Sequence, residues 1–381
     1  MVPRIKTNSA NDGHRDLGLR AASFAAKKRW TTWFLASTVL LWSSLHLIRS
    51  QNHMPKAIAS NSVQISASAA ADKKRTGVDS SGETSPNQTD ASHADVVTPA
   101  QPPSNSSLVI LLGNLRGGEQ AWKSLYKHVL DVNSADLALI IGQANTTTNS
   151  LYPNSSLYTR AKYNWTFREY NDWADAIHLI NGTAWRETHL PYFTKKRTGL
   201  LGGIKGYIGS GAIIFMIRWF LSRHLIDNPD VLNQYERFVI TRADHYYQCP
   251  HEYTNLDLSN NTMWIPQGEA YGGYTDRHLI VSRSNILDAL DIFPSLFQQT
   301  DEQLQDWIAV GTPESILKRV WISKGIDVMR MKRVMFTCAT QLDTSRWKMP
   351  KGDVPGVPGL LKKYESEYNQ TQQNCPALEG E

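Results

Sequence analysis

Cysteine is scarce in this chain, with three in 381 residues. Three cannot staple a disulfide-built scaffold, so the fold must rest on a hydrophobic core. One pair can form in an oxidising compartment, and Cys249 with Cys338 is the expected pair if both lie in the core domain. Charge of one sign is lacking too: the formal net charge is only +5, and much of that excess sits at the N-terminus. A nucleic-acid partner is therefore not expected, and no motif of a DNA- or RNA-binding module occurs. There is no internal repeat, no G-x-x-x-x-G-K-[ST] and no G-x-G-x-x-G.

Long runs that are both apolar and uncharged are nearly absent, and the exception is informative. "WTTWFLASTVLLWSSLHLI", residues 30–48, contains no Asp, Glu, Lys or Arg. At about 1.5 Å per residue it can cross a hydrocarbon core of about 30 Å. Trp30, Trp33 and Trp42 suit the interfaces. The preceding 29 residues carry seven basic and two acidic side chains, which leaves the N-terminus cytosolic and sends the rest across. A cleaved signal peptide, a mitochondrial presequence and a buried core helix are the competing readings. Eight N-glycosylation sequons favour the signal anchor. They begin at Asn87, Asn105, Asn145, Asn154, Asn164, Asn181, Asn260 and Asn369, and all follow the run.

The expected organisation is a cytoplasmic tail (1–29), a transmembrane helix (30–48), a disordered stem (49–107), a catalytic domain (108–348) and a C-terminal tail (349–381). The stem is rich in Ser, Ala, Asn, Asp, Thr and Pro, and buries too little apolar area to offset chain entropy. "SLVILLG", then the helical stripe of "EQAWKSLYKHVLDV", then "ADLALIIG" read as a βαβ unit, which implies a parallel sheet. "SGAIIFMIRWFLSRHLI" reads as a long apolar helix, too interrupted by Arg218, Arg223 and His224 to span a membrane. Strands are expected at "ERFVIT", "TMWIPQ", "RHLIVS" and "DVMRMKRVMFTC". A helix is expected from Pro313 to near Gly325. The fold class is α/β, a mostly parallel mixed sheet flanked by helices.

Ligands of open α/β sheets bind beyond the carboxyl ends of the strands, and three segments there carry chemistry. In "LLGNLRGGEQ", glycines and a helix N-terminus can approach a phosphate, and Arg116 can fork onto it. In "RFVITRADHYYQ", Asp244 can supply one oxygen to a hard divalent cation, with His245 as a weaker ligand. Arg242 can neutralise a diphosphate, and Tyr246 or Tyr247 can stack on a ring. In "PQGEAYGGYTDRHLIVS", Glu269 or Asp276 can act as general base, beside Arg277 and His278. Each segment also has a plain reading as a charged turn. Glu314 has one as well, as an acid favoured by a helix dipole. The glycine run "GLLGGIKGYIGSGA" lacks phosphate-loop spacing and suits close backbone packing.

In order and spacing, "LVILLGNLRG", "ADLALIIG", "YERFVITRADHYY", "GGYTDRHLIVSRSNIL" and "PESILKRVWISKGIDV" resemble GT-A-like glycosyltransferases of the type II membrane class. The nearest pattern is the divergent WavE-like lipopolysaccharide-synthesis group, with R-x-D in place of DxD. The resemblance covers about 108–340. It implies a Rossmann-like sheet, a nucleotide-sugar donor, and transfer to a hydroxyl of a glycan, glycoprotein or glycolipid acceptor. On it Asp244 matches the acidic end of the DxD-like site, and Arg242 stands where many relatives have the first Asp. Asp276 and Arg277 match an N-D-R segment, with Thr275 in place of Asn. Glu314 matches an acid before the last core helix, and Arg116 the arginine after the first strand. It also implies Mn²⁺ or Mg²⁺ and a lumenal, Golgi-membrane location. A Golgi sulfotransferase and a non-catalytic glycan-binding protein of the same fold remain as alternatives.

Overall fold

The structure, a computed structural model, describes residues 106–143, 152–194, 199–268, 270–309, 311–343, 350 and 352–375. The expected cytoplasmic tail, membrane span and nearly all of the stem lie outside these residues. So do Glu269 and the sequon residues Asn87, Asn105 and Asn145. No helix among the described residues is long and apolar enough to cross a membrane.

Eleven strands are named in chain order: β1 (Ser107–Leu112), β2 (Asp136–Gly142), β3 (Tyr163–Phe167), β4 (Arg237–Thr241), β5 (His245–Tyr247), β6 (Thr262–Pro266), β7 (Leu279–Ser282), β8 (Asp327–Met331), β9 (Met335–Ala339), β10 (Asp353–Val354) and β11 (Val357–Lys362). Seven make one sheet in the order β3-β2-β1-β4-β7-β6-β8. All of its pairings are parallel except the two made by β7. The expected α/β class and mostly parallel mixed sheet are therefore present. The other strands form a small sheet, β10-β11-β9-β5.

Side-chain alternation explains why the central strands read as continuous apolar runs. Leu108 and Ile110 of β1, Ala138 and Ile140 of β2, and Phe238 and Ile240 of β4 enter one core. Val109, Leu111, Leu137, Leu139 and Val239 enter the other. Both faces are buried, so no polar alternation is needed. Helices Ala174–Asn181, Gly211–Asp227 and Pro313–Ser323 contribute to the first core. The second core lies under helix Gly118–Leu125 and the small sheet. The glycine run is a close-packing device, because a Cβ on Gly202 would lie 2.1 Å from the Gly209 carbonyl carbon.

Two expectations are corrected. The described part of the expected 349–381 tail is folded onto the domain: β10, β11 and helix Glu365–Asn374 complete the small sheet and cover it. The buried stripe of that helix, Tyr364, Glu367, Thr371 and Cys375, has helical spacing but little apolar character. A search for hydrophobic periodicity passes over it. The disulfide joins Cys249 to Cys375, not to Cys338. Cys338 is a free thiol in the middle of β9, fully buried. The single segment "DVMRMKRVMFTC" likewise divides into β8 and β9, which belong to different sheets.

Peptide mapping without reduction is expected to recover Cys249 linked to Cys375, with Cys338 alkylated only after unfolding. The double replacement Cys249→Ser/Cys375→Ser opens a link across 126 residues and is expected to cost about 2–5 kcal/mol in urea denaturation.

Candidate functional site

The strand order places a topological switch between β1 and β4. The chain leaves β1 toward β2 on one side and returns through β4 on the other. Because the two strands are parallel, with Leu111 beside Thr241, their carboxyl ends open together. A cavity of about 370 Å³ lies there, where ligands of open α/β sheets bind.

Six residues picked from the sequence line this cavity: Arg116, Arg242, Asp244, Asp276, Arg277 and Glu314. They come from the segment after β1, the turn after β4, the loop before β7 and the first turn of helix Pro313–Ser323. Apolar side chains line it too, namely Phe167, Trp173, Ile213, Ile214 and Ile217. A pocket lined by both apolar and cationic side chains suits a ligand with a flat ring and an anionic group.

The turn 242–244 is not a solvated loop. It carries the chain from the large sheet into β5 of the small one, and Asp244 is only 3% exposed. The Cys338 backbone N–H donates to the Asp244 carbonyl at 2.8 Å, which holds the turn against β9. The side chains form a fork: Arg242 Nε donates to Asp244 Oδ1 at 2.7 Å, and Nη2 to Oδ2 at 2.6 Å. Burial alone would raise the Asp244 carboxyl, but Arg242 outweighs it, with help from Arg116 and Lys363, and holds the group well below the carboxylate range.

A second knot surrounds Arg277, which is paired with the fully buried Glu367. Its guanidinium lies 4.3 Å from the Tyr364 ring centre. Arg333 Nη1 also approaches Glu367, at 3.4 Å, and the Thr337 N–H donates to Glu367 Oε2 at 2.8 Å. Burial pushes the Glu367 carboxyl up, but Arg277 and Arg333 together bring it below its ordinary value. Asp276 sits 3.9 Å from Arg277 Nε, and its charge acts on Arg218, Arg242 and Arg277.

Several expectations do not reach the cavity. His245 points into the second core, with Nδ1 3.0 Å from Thr241 Oγ1, and burial brings its pKa down to about 4. Tyr247 is fully buried, its hydroxyl 3.0 Å from Thr241 Oγ1, while Tyr246 packs on Phe336. The aromatic hydroxyl residues that do line the cavity are Tyr271 and Tyr364. His278 is buried against His251, with their Nε2 atoms 3.1 Å apart. The helix end after β1 is not an open phosphate cradle either. The Gly117 N–H donates to Asp343 Oδ2 at 2.9 Å, so a carboxylate already caps that end. Gly117 is glycine for a steric reason: φ is +83°, and a Cβ would meet Asp244 Cα at 3.1 Å.

The donor set does not fit a tightly held divalent cation. Both Asp244 oxygens accept from Arg242, and His245 lies elsewhere. Among the described residues no three His, Cys, Asp or Glu side chains converge to hold a metal.

Sequence reasoning missed Arg218, Lys363, Glu169 and Trp173, which all line the cavity. Arg218 is buried inside helix Gly211–Asp227 and bonds the Asp276 carbonyl. A lone arginine on an apolar helix face was its only sequence signal. Lys363 comes from the segment expected as a tail. It is 8% exposed, and burial lowers its pKa to about 8 against the pull of Asp244. The described sequon residues Asn154, Asn164, Asn181, Asn260 and Asn369 are all exposed.

No known family model matches the chain, and no curated protein matches it.

Glu367→Gln leaves Arg277 and Arg333 without their buried charge partner and is expected to cost about 3–5 kcal/mol in urea unfolding. Asp244 and Glu367 both have folded pKa values below their ordinary 3.8 and 4.5. Their contribution to stability is complete above those values and is lost as pH falls below them. Unfolding free energy measured from pH 5 to pH 2 is therefore expected to fall, and to fall less steeply in Glu367→Gln.

Proposed function

We propose that this chain is a glycosyltransferase of the Rossmann-like GT-A class. It moves a sugar from a nucleotide-sugar donor to a hydroxyl of a glycan or glycoconjugate. The observation that carries the reading is the cavity at the β1/β4 switch, whose lining offers apolar side chains for the base and arginines for the diphosphate. The 3-2-1-4 order of the first four sheet positions is that of a nucleotide-binding α/β fold. A signal anchor with the domain in the Golgi lumen accompanies this reading. It is supported by the uncharged run at 30–48, by a disulfide, and by sequon asparagines that face solvent wherever they are described.

The cavity assigns different work to its carboxylates. Asp244 and Asp276 balance arginines. Glu314 lines the cavity from the first turn of its helix, an end that favours negative charge. Glu314, a carboxylate of the cavity lining, is the proposed general base for an inverting transfer, taking the acceptor hydroxyl proton. Glu269 lies outside the described residues and takes no part in this assignment.

The test is a screen of the full-length chain against uridine- and guanosine-diphosphate sugars, a sulfonucleotide and free glycans. Turnover of a nucleotide sugar is expected. Glu314→Gln is expected to lower kcat by about 10²–10⁴-fold with donor affinity kept. Turnover of the sulfonucleotide instead would favour a sulfotransferase. Glycan binding with no nucleotide bound would favour a lectin-like protein. A turnover lost in Asp276→Asn and kept in Glu314→Gln would move the base to Asp276.

A further inference from the structure

The resemblance implies a metal ion at the diphosphate, yet the residues at that corner are arranged for something else. The inference below rests on the nucleotide-sugar reading and specifies how that site handles the donor's charge. The position two residues before Asp244 is occupied by Arg242, and the fork between them uses both carboxylate oxygens. A cation entering here would have to break a buried, doubly hydrogen-bonded pair and then stand beside the freed guanidinium. The charge a metal would bring is already present in side chains. Arg116, Arg242, Arg277 and Lys363 all line the cavity, and all four act on one another's ionisation or on that of Asp244.

Lys363 is the informative member. It is more than nine-tenths buried and lines the cavity. No carboxylate among the described residues forms an ion pair with its ammonium; Asp244 attracts it from a distance, while Arg242, Arg116 and Arg277 repel it. A buried, unpaired ammonium among other cations is costly unless an anion arrives. Its place is also fixed. The Lys363 N–H donates to the Thr337 carbonyl at 3.0 Å, the next residue stacks on Arg277, and the following helix is held by Glu367 and by the bond to Cys249. A cation held in advance of ligand binding is the arrangement that stabilises developing negative charge.

We propose that the donor diphosphate is bound by this chain's own cations, with Lys363, Arg116 and Arg242 as the clamp, and that no divalent cation takes part. During transfer the bond between the anomeric carbon and the diphosphate oxygen breaks. Its electron pair leaves with the nucleoside diphosphate, where the Lys363 ammonium and the guanidinium groups meet the new charge. The acceptor oxygen bonds the anomeric carbon, and its proton passes to the carboxylate base.

The test titrates the full-length protein calorimetrically with UDP and with GDP, first in EDTA and then in Mn²⁺. The wild type, Lys363→Met and Lys363→Arg are compared, with thermal melting as the check on folding. One of the nucleotides is expected to bind in EDTA within about threefold of its affinity in Mn²⁺. Lys363→Met is expected to weaken it at least about tenfold, and Lys363→Arg to restore most of the loss. Binding that requires Mn²⁺ would overturn this inference and leave the nucleotide-sugar reading intact. Failure of both nucleotides under both conditions would remove that reading and this inference with it. Metal-free binding unchanged in a folded Lys363→Met would remove Lys363 from the clamp. If Lys363→Met does not fold, the wild-type comparison of EDTA with Mn²⁺ and the Lys363→Arg titration decide the question.

Discussion

The fork between Arg242 and Asp244 is the constraint on which the rest of this site depends. It closes at the end of β4, where the chain passes from the large sheet into the small one. A carboxylate that is 3% exposed cannot remain charged without a partner, and Arg242 is that partner. The pairing sets the turn, aims a guanidinium edge into the cavity, and removes from Asp244 the freedom to coordinate a cation. Gly117 must then be glycine, because the segment after β1 passes within contact of the same turn.

A second buried acid performs the matching task on the other side. Glu367 draws Arg277 and Arg333 toward the C-terminal helix and accepts a backbone N–H from β9. The end of the chain thereby becomes part of the site wall, and Lys363 and Tyr364 are carried in with it. Arg242 and Arg277 are each paired with a buried carboxylate, and both line the cavity. Lys363 stands in the same lining, held in place before any ligand arrives.

Much of this was legible in the sequence. The central strands announce themselves as short runs buried on both faces, as β1 and β2 do. The helix from Pro313 starts and stops at the expected proline and glycine. Charged residues placed beside strands proved to line the site: Arg116 and Asp244 follow the parallel strands β1 and β4, and Asp276 precedes β7, whose antiparallel course brings its start to the same edge. What escaped was whatever lacked a periodic apolar signal. The helix Glu365–Asn374 buries Glu367 and Thr371, so its inner face looks like an outer one. Arg218 is one polar residue in an apolar helix, and its role depends on a carbonyl 58 residues away. His245 follows Asp244 in sequence, but the strand that begins there turns its ring into the second core. The cysteine pairing depended on that same unrecognised helix, which brings Cys375 back to Cys249.

On the proposed reading the cavity at the β1/β4 switch holds a nucleoside diphosphate, its base on apolar side chains and its phosphates on cations. A structure of the protein with its nucleotide bound tests it most directly. The account predicts the base against Trp173 and Phe167, and the diphosphate within hydrogen-bond distance of Lys363 and Arg242, with the Arg242–Asp244 fork intact. A nucleotide bound elsewhere, or an Asp244 carboxylate released from Arg242 to hold a metal ion, would contradict it.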